Sequence, residues 1–527
     1  MYICHQISHP LTPKHSFSRK VSVFHDRLAP EEGYLAGYAL LLDMLSADGI
    51  QVPLPDRLCL ISTKHLRYDT DLWSVFTPRH QPDETMKSHL FFALKYEGLD
   101  LYILKAVFHW AGADLIAQII SDEPTSQYAR RLWFLYEWLL DTRLDLPDLK
   151  SGTYTKVLDE ELQYPGPYRN STRHRVKNNL PGTHEFCPLI RRTKTLEQYI
   201  GMKLNEKVVE GLSKLDRDVL RRAAAFLLLK DSKASFAIEG ENPPDIRARN
   251  WGKIIGEAGK NPLSIAELER LQHVVIGSKK LKQMGLRTGE GFIGEHDNDT
   301  FEPVPEHISA KAKDLPSLMR GLLDAEALLR DSGYDPVLAA ATIAFGFVFI
   351  HPFLDGNGRI HRYLIHHQLA SMKYVRRDMI FPVSAAMYDQ LPEYQDALQA
   401  YSSPRLEFIH WKGTDDHNVE ITNDTIDLYR YYDMTRQAEY LYQCVQETIN
   451  RIIPEELDYL HRYDQVNSAI NEVISLPDHQ LDLLIKMLHQ NQGKLSKGKK
   501  DKFFAELSEE EVGAIEGIFN NFFKSEG

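Results

Sequence analysis

The most apolar segment of the chain runs from Pro336 to Ile350 and is hydrophobic on every side of a helical wheel. At about fifteen residues it is too short to cross a bilayer, so the pattern predicts a helix buried in the core of a domain. Asp335 suits the N-cap position of this helix, and Pro336 suits its first turn. A second helical pattern begins at Arg359, so a short polar loop is expected to join the two helices.

Helical patterns recur on both sides of this segment and predict a mainly α-helical chain. The predicted helices cover residues 32–42, 88–96, 101–110, 113–120 and 127–140 before it, and residues 428–445, 465–474 and 480–489 after it. The turn-rich stretch 147–188 is expected to be a connector. The expected domains are an N-terminal helical domain with its connector (1–190), a central domain (191–415) and a C-terminal helical domain (416–527).

Composition narrows the class of protein without identifying it. The 527 residues are 43% hydrophobic and 26% charged, as is ordinary for a soluble protein. The formal charge of −12 argues against a general nucleic-acid binder. Four separated cysteines, no signal-peptide pattern and no apolar run of about eighteen residues predict a cytoplasmic protein without a membrane partner.

The polar loop after the apolar helix has the features of a phosphate site. Gly356 and Gly358 let the backbone come close to an anion just before a helix N-terminus, where free N–H groups favour phosphate. Arg359 and Arg362 are three residues apart, so both guanidinium groups can point from one helix face towards the same ligand. The loop is therefore predicted to hold the phosphates of a nucleotide.

Two further side chains in the loop predict group-transfer chemistry. Asp355 is a hard oxygen ligand, suited to a Mg²⁺ that also carries phosphates and waters. His351 has an unperturbed pKa near ~6.5, which suits a general base at neutral pH. Together with the phosphate site, these residues predict transfer from a nucleoside triphosphate to a hydroxyl group.

The stretch from His351 to Arg362 (His-Pro-Phe-Leu-Asp-Gly-Asn-Gly-Arg-Ile-His-Arg) resembles the Fic family motif at every specified position. The resemblance covers roughly residues 212–415 and implies a Fic-fold helical core. It also implies an enzyme that moves AMP from ATP to a Ser, Thr or Tyr hydroxyl of a protein and releases pyrophosphate. The implied roles are catalytic base for His351, Mg²⁺ ligand for Asp355, anion nest for Gly356, Asn357 and Gly358, and phosphate ligands for Arg359 and Arg362.

A second motif lies upstream, at the end of a helix predicted over residues 212–239. Ser235-Phe-Ala-Ile-Glu239-Gly240 resembles the Fic inhibitory motif, in which the glutamate pairs with the second arginine of the Fic motif, here Arg362. This implies an inhibitory helix near residues 231–240. The alternative is an ordinary helix stop before a proline pair, with Glu239 as a solvated last-turn acid.

Two other segments are assigned through the same resemblance. Residues 287–305 combine Gly, Asn and Asp with short apolar pairs, as in a β-hairpin. The resemblance makes this hairpin the Fic flap, with Phe292 and Ile293 facing the ligand, and the alternative is an exposed loop. Tyr394 lies in the segment that closes the adenine pocket in the family, but a packed tyrosine is the alternative, because the family's Tyr-Tyr pair is Tyr394-Gln395 here.

The leading functional prediction is an autoinhibited protein adenylyltransferase with ATP as substrate and Mg²⁺ as cofactor. Its expected partner is a target protein with a hydroxyl side chain, and self-modification and oligomerisation are left open. One alternative is removal of AMP at the same site, because some Fic proteins use the inhibitory glutamate to orient a water. The other is a nucleotide-sensing regulatory module that binds protein or DNA, although the intact His351 and Asp355 argue against it.

Overall fold

The computed structural model describes residues 16–207, 217–277, 283–374 and 381–523. Helices dominate this part of the chain, as the sequence predicts, and the predicted mainly helical fold is confirmed. Two large hydrophobic cores lie in the N-terminal and central parts, and a smaller core lies in the C-terminal helices. Residues 212–216 of the predicted helix 212–239 lie outside the described residues.

The N-terminal part combines a five-stranded sheet with helices. Its strands are β1 (Lys20–Phe24), β2 (Arg27–Ala36), β3 (Leu58–Ser62), β4 (Tyr68–Asp69) and β5 (Trp73–Phe76). Its helices are α1 (Tyr38–Ala47), α2 (Met86–Phe92), α3 (Leu101–Asp122) and α4 (Gln127–Leu140), with a 3₁₀ turn at Pro78–His80 and a π turn at Ala93–Glu97. The strand order is β1-β2-β3-β5-β4, and β3 and β5 are the one parallel pair of this sheet.

The helix predicted over residues 32–42 is wrong in its first half. The chain stays in β2 as far as Ala36, turns at Gly37 with a φ of 58°, and enters α1 at Tyr38. β2 is hydrogen-bonded on one edge to β1 and on the other to β3. Local periodicity does not reveal these partners, and their pairing decides the conformation of the segment.

α3 is the one described helix long and apolar enough to cross a membrane by length and composition. The helix includes Lys105 and Asp114, so it differs from the unbroken apolar run of about eighteen residues that the sequence expectation concerned. Gly112 interrupts the helix with a φ of 75°, and its inward residues pack in the N-terminal core. A helix buried in a protein core passes the same test of length and hydropathy.

The predicted connector forms a small sheet and leads into a short helix. Its elements are β6 (Thr155–Lys156), β7 (Arg169–Ser171), β8 (Val176–Asn178) and α5 (Lys194–Gly201), and β8 lies between β6 and β7. Arg173, one of its basic residues, pairs with Glu137 of α4 at 2.8 Å. That arginine therefore fastens the connector to the N-terminal part.

The central part surrounds the apolar helix. Its elements are α6 (Arg217–Ala237), α7 (Asp245–Ile255), α8 (Ile265–Ile276), β9 (Phe292–His296), β10 (Pro303–Ile308), a 3₁₀ turn at Ala312–Asp314, α9 (Leu315–Arg330), α10 (Pro336–Ile350), α11 (Asn357–Ser371), α12 (Val383–Asp389) and α13 (Leu391–Leu406). Every residue of α10 from Val337 onward is buried. α11 packs along α10, so the polar loop between them is fixed to the centre of the core.

The C-terminal part contains a second hairpin and further helices. These elements are β11 (Trp411–Gly413), β12 (Val419–Ile421), α14 (Ile426–Arg430), α15 (Thr435–Glu447), a π turn at Thr448–Ile452, α16 (Ile453–Val473), α17 (Asp478–Gln490), α18 (Lys497–Phe503) and α19 (Glu509–Phe523). α14 and α15 contribute to the central core, whereas the second half of α16 packs with α17 and α19 and with Leu495 and Phe504, which flank α18. The predicted domain boundaries stay a prediction.

The single helix predicted over residues 428–445 is two helices. The chain is extended between α14 and α15, where Leu189 donates its backbone N–H to Tyr432 O at 3.0 Å and Met434 donates to Leu189 O at 2.8 Å. The connector thus pairs with this segment as a strand would. A partner more than two hundred residues away in sequence breaks the helical pattern there.

Candidate functional site

The loop of the site begins where α10 ends. Asp335 caps the other end of this helix, because its side chain accepts the N–H groups of Val337 and Leu338 at 2.9 and 3.0 Å. The predicted N-cap is therefore confirmed. At the C-terminal end, His351 adopts a left-handed conformation with a φ of 54°. Since this conformation is uncommon for a residue other than glycine, the fold holds His351 in a strained position at the mouth of the loop.

The imidazole of His351 is oriented for proton transfer. Its Nδ1 lies 3.4 Å from the carbonyl oxygen of Val348, so a proton on Nδ1 is directed at that carbonyl and Nε2 keeps its lone pair. Burial, and secondarily the nearby Arg287, lowers the pKa of His351 to about 4. The side chain is therefore neutral at pH 7 and able to accept a proton.

Arg287 and Gln272 fix the loop by hydrogen bonds to its backbone carbonyl groups. Neither residue belongs to a motif recognised in the sequence. Arg287 donates from Nε to the carbonyl oxygen of His351 at 2.9 Å, and Gln272 donates from Nε2 to that of Asp355 at 3.1 Å. Both side chains are buried. A buried arginine and a buried glutamine next to helix termini are compatible with many folds, so only the tertiary contacts reveal this role.

The three residues assigned to the anion nest differ in what they do here. Asn357 closes the loop, because its amide accepts from the N–H of Phe353 at 3.0 Å and donates to the carbonyl of the same residue at 2.7 Å. Gly356 has a φ of 93°, and a Cβ there would lie 3.0 Å from Val275. Gly358 is in the first turn of α11, where a Cβ would collide with the carboxylate of Glu239. Gly356 thus allows close packing against α8, Gly358 leaves room for the Glu239 carboxylate, and Asn357 fixes the shape of the loop.

Arg362 and Glu239 form an ion pair across the site. Nη2 of Arg362 lies 2.8 Å from Oε1 of Glu239 and also donates to the carbonyl oxygen of Ser235 at 2.6 Å. Nε of the same guanidinium donates to Oγ of Ser235 at 3.0 Å. Arg362 is 1% exposed, whereas the side chain of Glu239 is 34% exposed. Glu239 and Ser235 therefore both contact the second motif arginine, and their inhibitory role stays a prediction.

The charge state of Glu239 follows from this pair. Burial alone would raise the pKa of its carboxyl group, but the positive charge of Arg362 outweighs that effect, and the pKa is lowered. The carboxylate is therefore ionised at neutral pH. It lies against Gly358 at the N-terminus of α11, where the helix dipole and free N–H groups favour a negative charge.

Arg359 is held between two carboxylates. Its Nη2 lies 3.0 Å from Oδ1 of Asp355, and its Nη1 forms an ion pair with Glu241. The guanidinium also stacks on the ring of Phe236, with Cζ 5.4 Å from the centroid. Glu241 was not singled out from the sequence, because it lies just after the upstream motif and the next residues, Asn-Pro-Pro, suggest only a loop.

Both motif arginines keep a donor that could bind a phosphate. Nε of Arg359 and Nη1 of Arg362 are buried and have no hydrogen-bond partner among the described residues. A buried unpaired guanidinium nitrogen is costly, and a phosphate oxygen would satisfy it. The donor set therefore fits the phosphates of a nucleotide.

Asp355 fits the predicted metal role by position and exposure. Its side chain is 49% exposed at the mouth of the loop and has one ion pair, with Arg359. Within the described residues, no group of three or more His, Cys, Asp or Glu side chains is arranged to hold a metal. Mg²⁺ commonly takes one or two protein carboxylates and completes its shell with waters and substrate phosphates.

The predicted β-hairpin is present as β9 and β10, beside the loop. β9 pairs with β10 from Phe292 opposite Ile308 to His296 opposite Pro303. Ile293 is 43% exposed and Phe292 is half-buried. The second hairpin braces this one, since Nε2 of His296 contacts His417 O at 2.8 Å. The expected hairpin is thus observed, and its ligand-facing role stays a prediction.

Tyr394 lies behind the arginines. It is buried, its ring stacks on His361 with centroids 5.9 Å apart, and its hydroxyl lies beside the guanidinium of Arg362. Burial raises the pKa of Tyr394 to about 12, so the phenol is neutral. This position is that of a packed tyrosine supporting Arg362, and its contact with an adenine base stays a prediction.

The upstream segment is fastened to the core by a buried acid. Asp231 of α6 accepts the N–H and the hydroxyl of Ser384 at 2.7 and 3.0 Å, and it contacts Nε2 of His366 at 2.8 Å. These bonds join α6 to the start of α12 and to the middle of α11. They set the position of the helix that ends next to Glu239.

Comparison with known proteins assigns a segment of the central part to a family. Residues 263–369 match the family model described as the Fic/DOC family. The chain therefore contains a Fic/DOC family domain, and the resemblance drawn from the motif is confirmed. The match includes the whole loop and the β9–β10 hairpin, whereas Ser235, Glu239 and Glu241 lie upstream of it.

Similar proteins carry the same family designation. The chain is 31% identical over 123 residues to a protein named protein adenylyltransferase fic-1 from Caenorhabditis elegans, with 23% of this chain and 22% of that protein covered. It is 30% identical over 123 residues to the protein of the same name from Caenorhabditis briggsae, with the same coverage. The chain thus spans about a fifth of the length of these curated relatives.

Solved structures with detectable similarity also include Fic proteins. A Fic family protein from Desulfovibrio desulfuricans G20 has a TM-score of 0.38 and 19% identity, covering 58% of this chain and 90% of that one. A Fic domain containing signaling protein from Bacteroides thetaiotaomicron VPI-5482 has a TM-score of 0.34 and 18% identity, covering 50% of this chain and 97% of that one.

Proposed function

We propose that this chain is an autoinhibited protein adenylyltransferase, which transfers AMP from ATP to a Ser, Thr or Tyr hydroxyl of a target protein. The carrying observation is the ion pair of Glu239 with Arg362 over the N-terminus of α11, next to a neutral His351. An ionised carboxylate there occupies an anion site beside a base. The names of the curated relatives support the same reaction class.

The substrates of this reaction are ATP and a hydroxyl group of a protein. Nε2 of His351 accepts the hydroxyl proton while the hydroxyl oxygen forms a bond to the α-phosphorus. The bond from that phosphorus to the bridging oxygen breaks, and pyrophosphate leaves with the bonding electrons. Arg359 and Arg362 stabilise the negative charge of the leaving group, and the N–H groups at the start of α11 hold the phosphates.

A metal ion would be bound through Asp355. When present, Mg²⁺ supplies positive charge that neutralises the phosphates of the substrate. The chain holds Asp355 in place through Gln272, whose Nε2 donates a hydrogen bond to the backbone carbonyl of Asp355 at 3.1 Å. Release of Arg359 from Asp355 would free that carboxylate for the metal.

Autoinhibition follows from competition for one arginine. The γ-phosphate and the Glu239 carboxylate cannot both occupy the space beside Gly358 and pair with the same nitrogen of Arg362. As long as Glu239 stays in place, the triphosphate is either excluded or held in an unproductive position. Activation then requires movement of the segment that follows α6.

The partner of the reaction is a protein segment that reaches the flap. β9 pairs with β10 alone among the described strands, so its outer edge has free backbone groups next to the loop. An extended target segment could add to that edge and bring its hydroxyl towards His351. Self-modification is included, since any accessible segment of a second copy could dock in this way.

A second candidate function is removal of AMP from a modified protein. The observation that favours it is the free oxygen of Glu239, because Oε2 has no hydrogen-bond partner among the described residues while Oε1 binds Arg362. An ionised, partly exposed carboxylate in that position could orient a water for attack on a phosphodiester. In that reaction Glu239 would be required, whereas in AMP transfer it would be inhibitory.

Intact-mass spectrometry of the Glu239→Gly protein tests the proposal. The protein is incubated with Mg²⁺ and each nucleoside triphosphate in turn, with unmodified chain and Glu239→Gly/His351→Ala as controls. With ATP, we expect the Glu239→Gly protein to gain the mass of one AMP. The unmodified chain should gain little AMP, and the Glu239→Gly/His351→Ala protein should gain none. The absence of any nucleotide adduct on Glu239→Gly or on an added hydroxyl-bearing protein would overturn transferase function.

A further inference from the structure

Glu241 lies two residues after Glu239 and makes its own contacts with the site. One carboxylate oxygen, Oε1, pairs with Nη1 of Arg359. The other, Oε2, accepts from Nη1 of Arg247 at 2.7 Å. The Arg359 side chain is 3% exposed and that of Glu241 is 35% exposed, so the pair lies at the edge of the core.

Arg247 fixes the direction of this carboxylate. Its Nη2 donates to the carbonyl oxygen of Val275 at 2.9 Å, next to the end of α8. Arg247 and Arg359 also share the ring of Phe236, with guanidinium carbons 4.8 and 5.4 Å from its centroid. Glu241 is therefore bound between two guanidinium groups stacked on the same ring, and its position is set by the fold.

These contacts leave Arg359, the first motif arginine, less able to bind a phosphate. Two of its nitrogens are used by Glu241 and Asp355, and its third, Nε, is the unpartnered one among the described residues. A phosphate bound in bidentate fashion would need two adjacent nitrogens on one edge of the guanidinium, and each such pair includes a nitrogen that already pairs with Glu241 or Asp355. The contact with Asp355 would also compete with a metal ion for that carboxylate.

We propose that Glu241 is a positioning residue that holds Arg359 out of the phosphate site, as a second restraint beside the one that Glu239 places on Arg362. This inference rests on the proposed function. One short segment, residues 235–241, thus restrains both motif arginines, each through its own glutamate. Removal of Glu239 alone leaves Arg359 bound, so the single variant is released only in part.

Nucleotide affinity separates this role from a purely structural one. Glu241 competes with the phosphates in the resting protein, so its loss should strengthen ATP binding. If it only fastened Arg247, its loss should lower thermal stability without improving affinity. The measurement is made in a Glu239→Gly/His351→Ala background, where the base is absent and ATP is not consumed. Calorimetry with ATP and Mg²⁺ then reports binding alone.

We expect the addition of Glu241→Gln to that background to lower the Kd for ATP roughly tenfold, which is typical for the loss of one competing charged hydrogen bond. Glu257→Gln, at an exposed position of the same charge, is the matched control and should leave the Kd unchanged. An equal or higher Kd with Glu241→Gln would overturn the inference, and a lowered unfolding temperature in the same protein would show that Glu241 only fastens Arg247.

The outcome is independent of the transferase assay. If Glu239→Gly with His351 intact adds no nucleotide mass, the proposed reaction fails, and the Kd comparison still decides whether Glu241 competes with phosphate. If that variant does add AMP, the Glu239→Gly/Glu241→Gln protein should add it faster at low ATP and equally fast at saturating ATP. A change confined to the saturated rate would also count against a role in positioning Arg359.

Discussion

The carboxylate of Glu239 and the guanidinium of Arg362 meet at 2.8 Å although 123 residues separate them in the chain. The pair forms because α6 is fastened beside α11 and ends at the N-terminus of that helix. Its consequence is that the resting arrangement of the loop already contains an anion, supplied by the protein itself. Under the proposed function, the nucleotide would compete with Glu239 for this position.

The ion pair should make a measurable and pH-dependent contribution to stability. The pKa of Glu239 is lowered in the folded chain, so its contribution is present above the unfolded pKa and is lost as pH falls through the folded pKa. We expect Glu239→Gln to lower the free energy of unfolding at pH 7 by about 1 kcal/mol, a modest value because the side chain is one-third exposed and screened by water.

Chemical denaturation at pH 7 and near pH 3 checks this prediction, with Glu257→Gln as a control for the change of charge. The difference between Glu239→Gln and unmodified chain should shrink at the lower pH. A difference that is constant or grows on acidification would show that the ionised carboxylate does not stabilise the folded chain.

His351→Ala should remove the transfer reaction and leave the fold intact. The imidazole is neutral because burial lowers its pKa to about 4, so it is a proton acceptor over the whole neutral range. Loss of a positioned general base typically costs about 10²- to 10⁴-fold in rate. The comparison is made in the Glu239→Gly background, with incorporation of labelled AMP as the measurement.

ATP affinity and unfolding temperature of the His351→Ala protein provide the controls for that experiment. Both should stay close to those of the parent, because the hydrogen bond from the imidazole to a backbone carbonyl is long, at 3.4 Å. Normal incorporation of AMP by this variant would exclude His351 as the base. Loss of ATP binding would show that the residue shapes the pocket instead.

Sequence patterns predict those parts of the fold in which local signals and packing agree. The apolar helix α10 and its cap at Asp335 are examples, because the continuous apolar run and the capping residue are adjacent in the sequence. The helix over residues 127–140 is another, with the same bounds in α4. In the site, the loop from His351 to Arg362 is local in sequence, and so its residues could be assigned together.

Features that depend on distant partners could not be predicted in this way. β2 replaces part of a predicted helix because β3 pairs with it, and the chain between α14 and α15 is extended because Leu189 pairs with it. In the site, Glu241 and Arg287 have no motif of their own. Their roles follow from which guanidinium or carbonyl group the fold places within hydrogen-bond distance.

Loss of the Asp231 carboxylate should loosen α6. Asp231 is fully buried and accepts three bonds from Ser384 and Ala385, besides contacting His366. Asp231→Asn removes the charge and replaces one of the two accepting oxygens with an N–H donor, which we expect to cost about 3 kcal/mol of unfolding free energy. Thermal unfolding and amide hydrogen exchange of α6 measure the effect.

Ser232→Ala is the matched comparison for that variant, because it removes one buried bond, to the carbonyl oxygen of Ala248 at 2.6 Å, from the same helix. Ser232→Ala should lower the unfolding free energy less than Asp231→Asn does. The amides of α6 should also exchange more slowly in Ser232→Ala than in Asp231→Asn. Since Glu239 lies two residues after the end of α6, Asp231→Asn should also raise AMP transfer at permissive temperature. Equal exchange in both variants would contradict the role assigned to Asp231.

Glu97 should make the N-terminal part less stable as pH rises. Burial raises the pKa of its carboxyl group to about 7, and Oε1 accepts the backbone N–H of Tyr38 at 2.9 Å. In the unfolded chain the group ionises near pH 4.5, so between that pH and 7 only the unfolded state loses the proton. The stability that the protonated Glu97 contributes is therefore fully present below pH 4.5 and is lost as pH rises through 7, by about 3 kcal/mol in total.

Glu97→Gln keeps an acceptor for Tyr38 and cannot ionise. Its unfolding free energy should therefore change between pH 5 and pH 8 by about 3 kcal/mol less than that of the unmodified chain. Denaturation curves of both proteins at the two pH values measure this difference, and parallel pH profiles would show that Glu97 does not stay protonated in the folded chain.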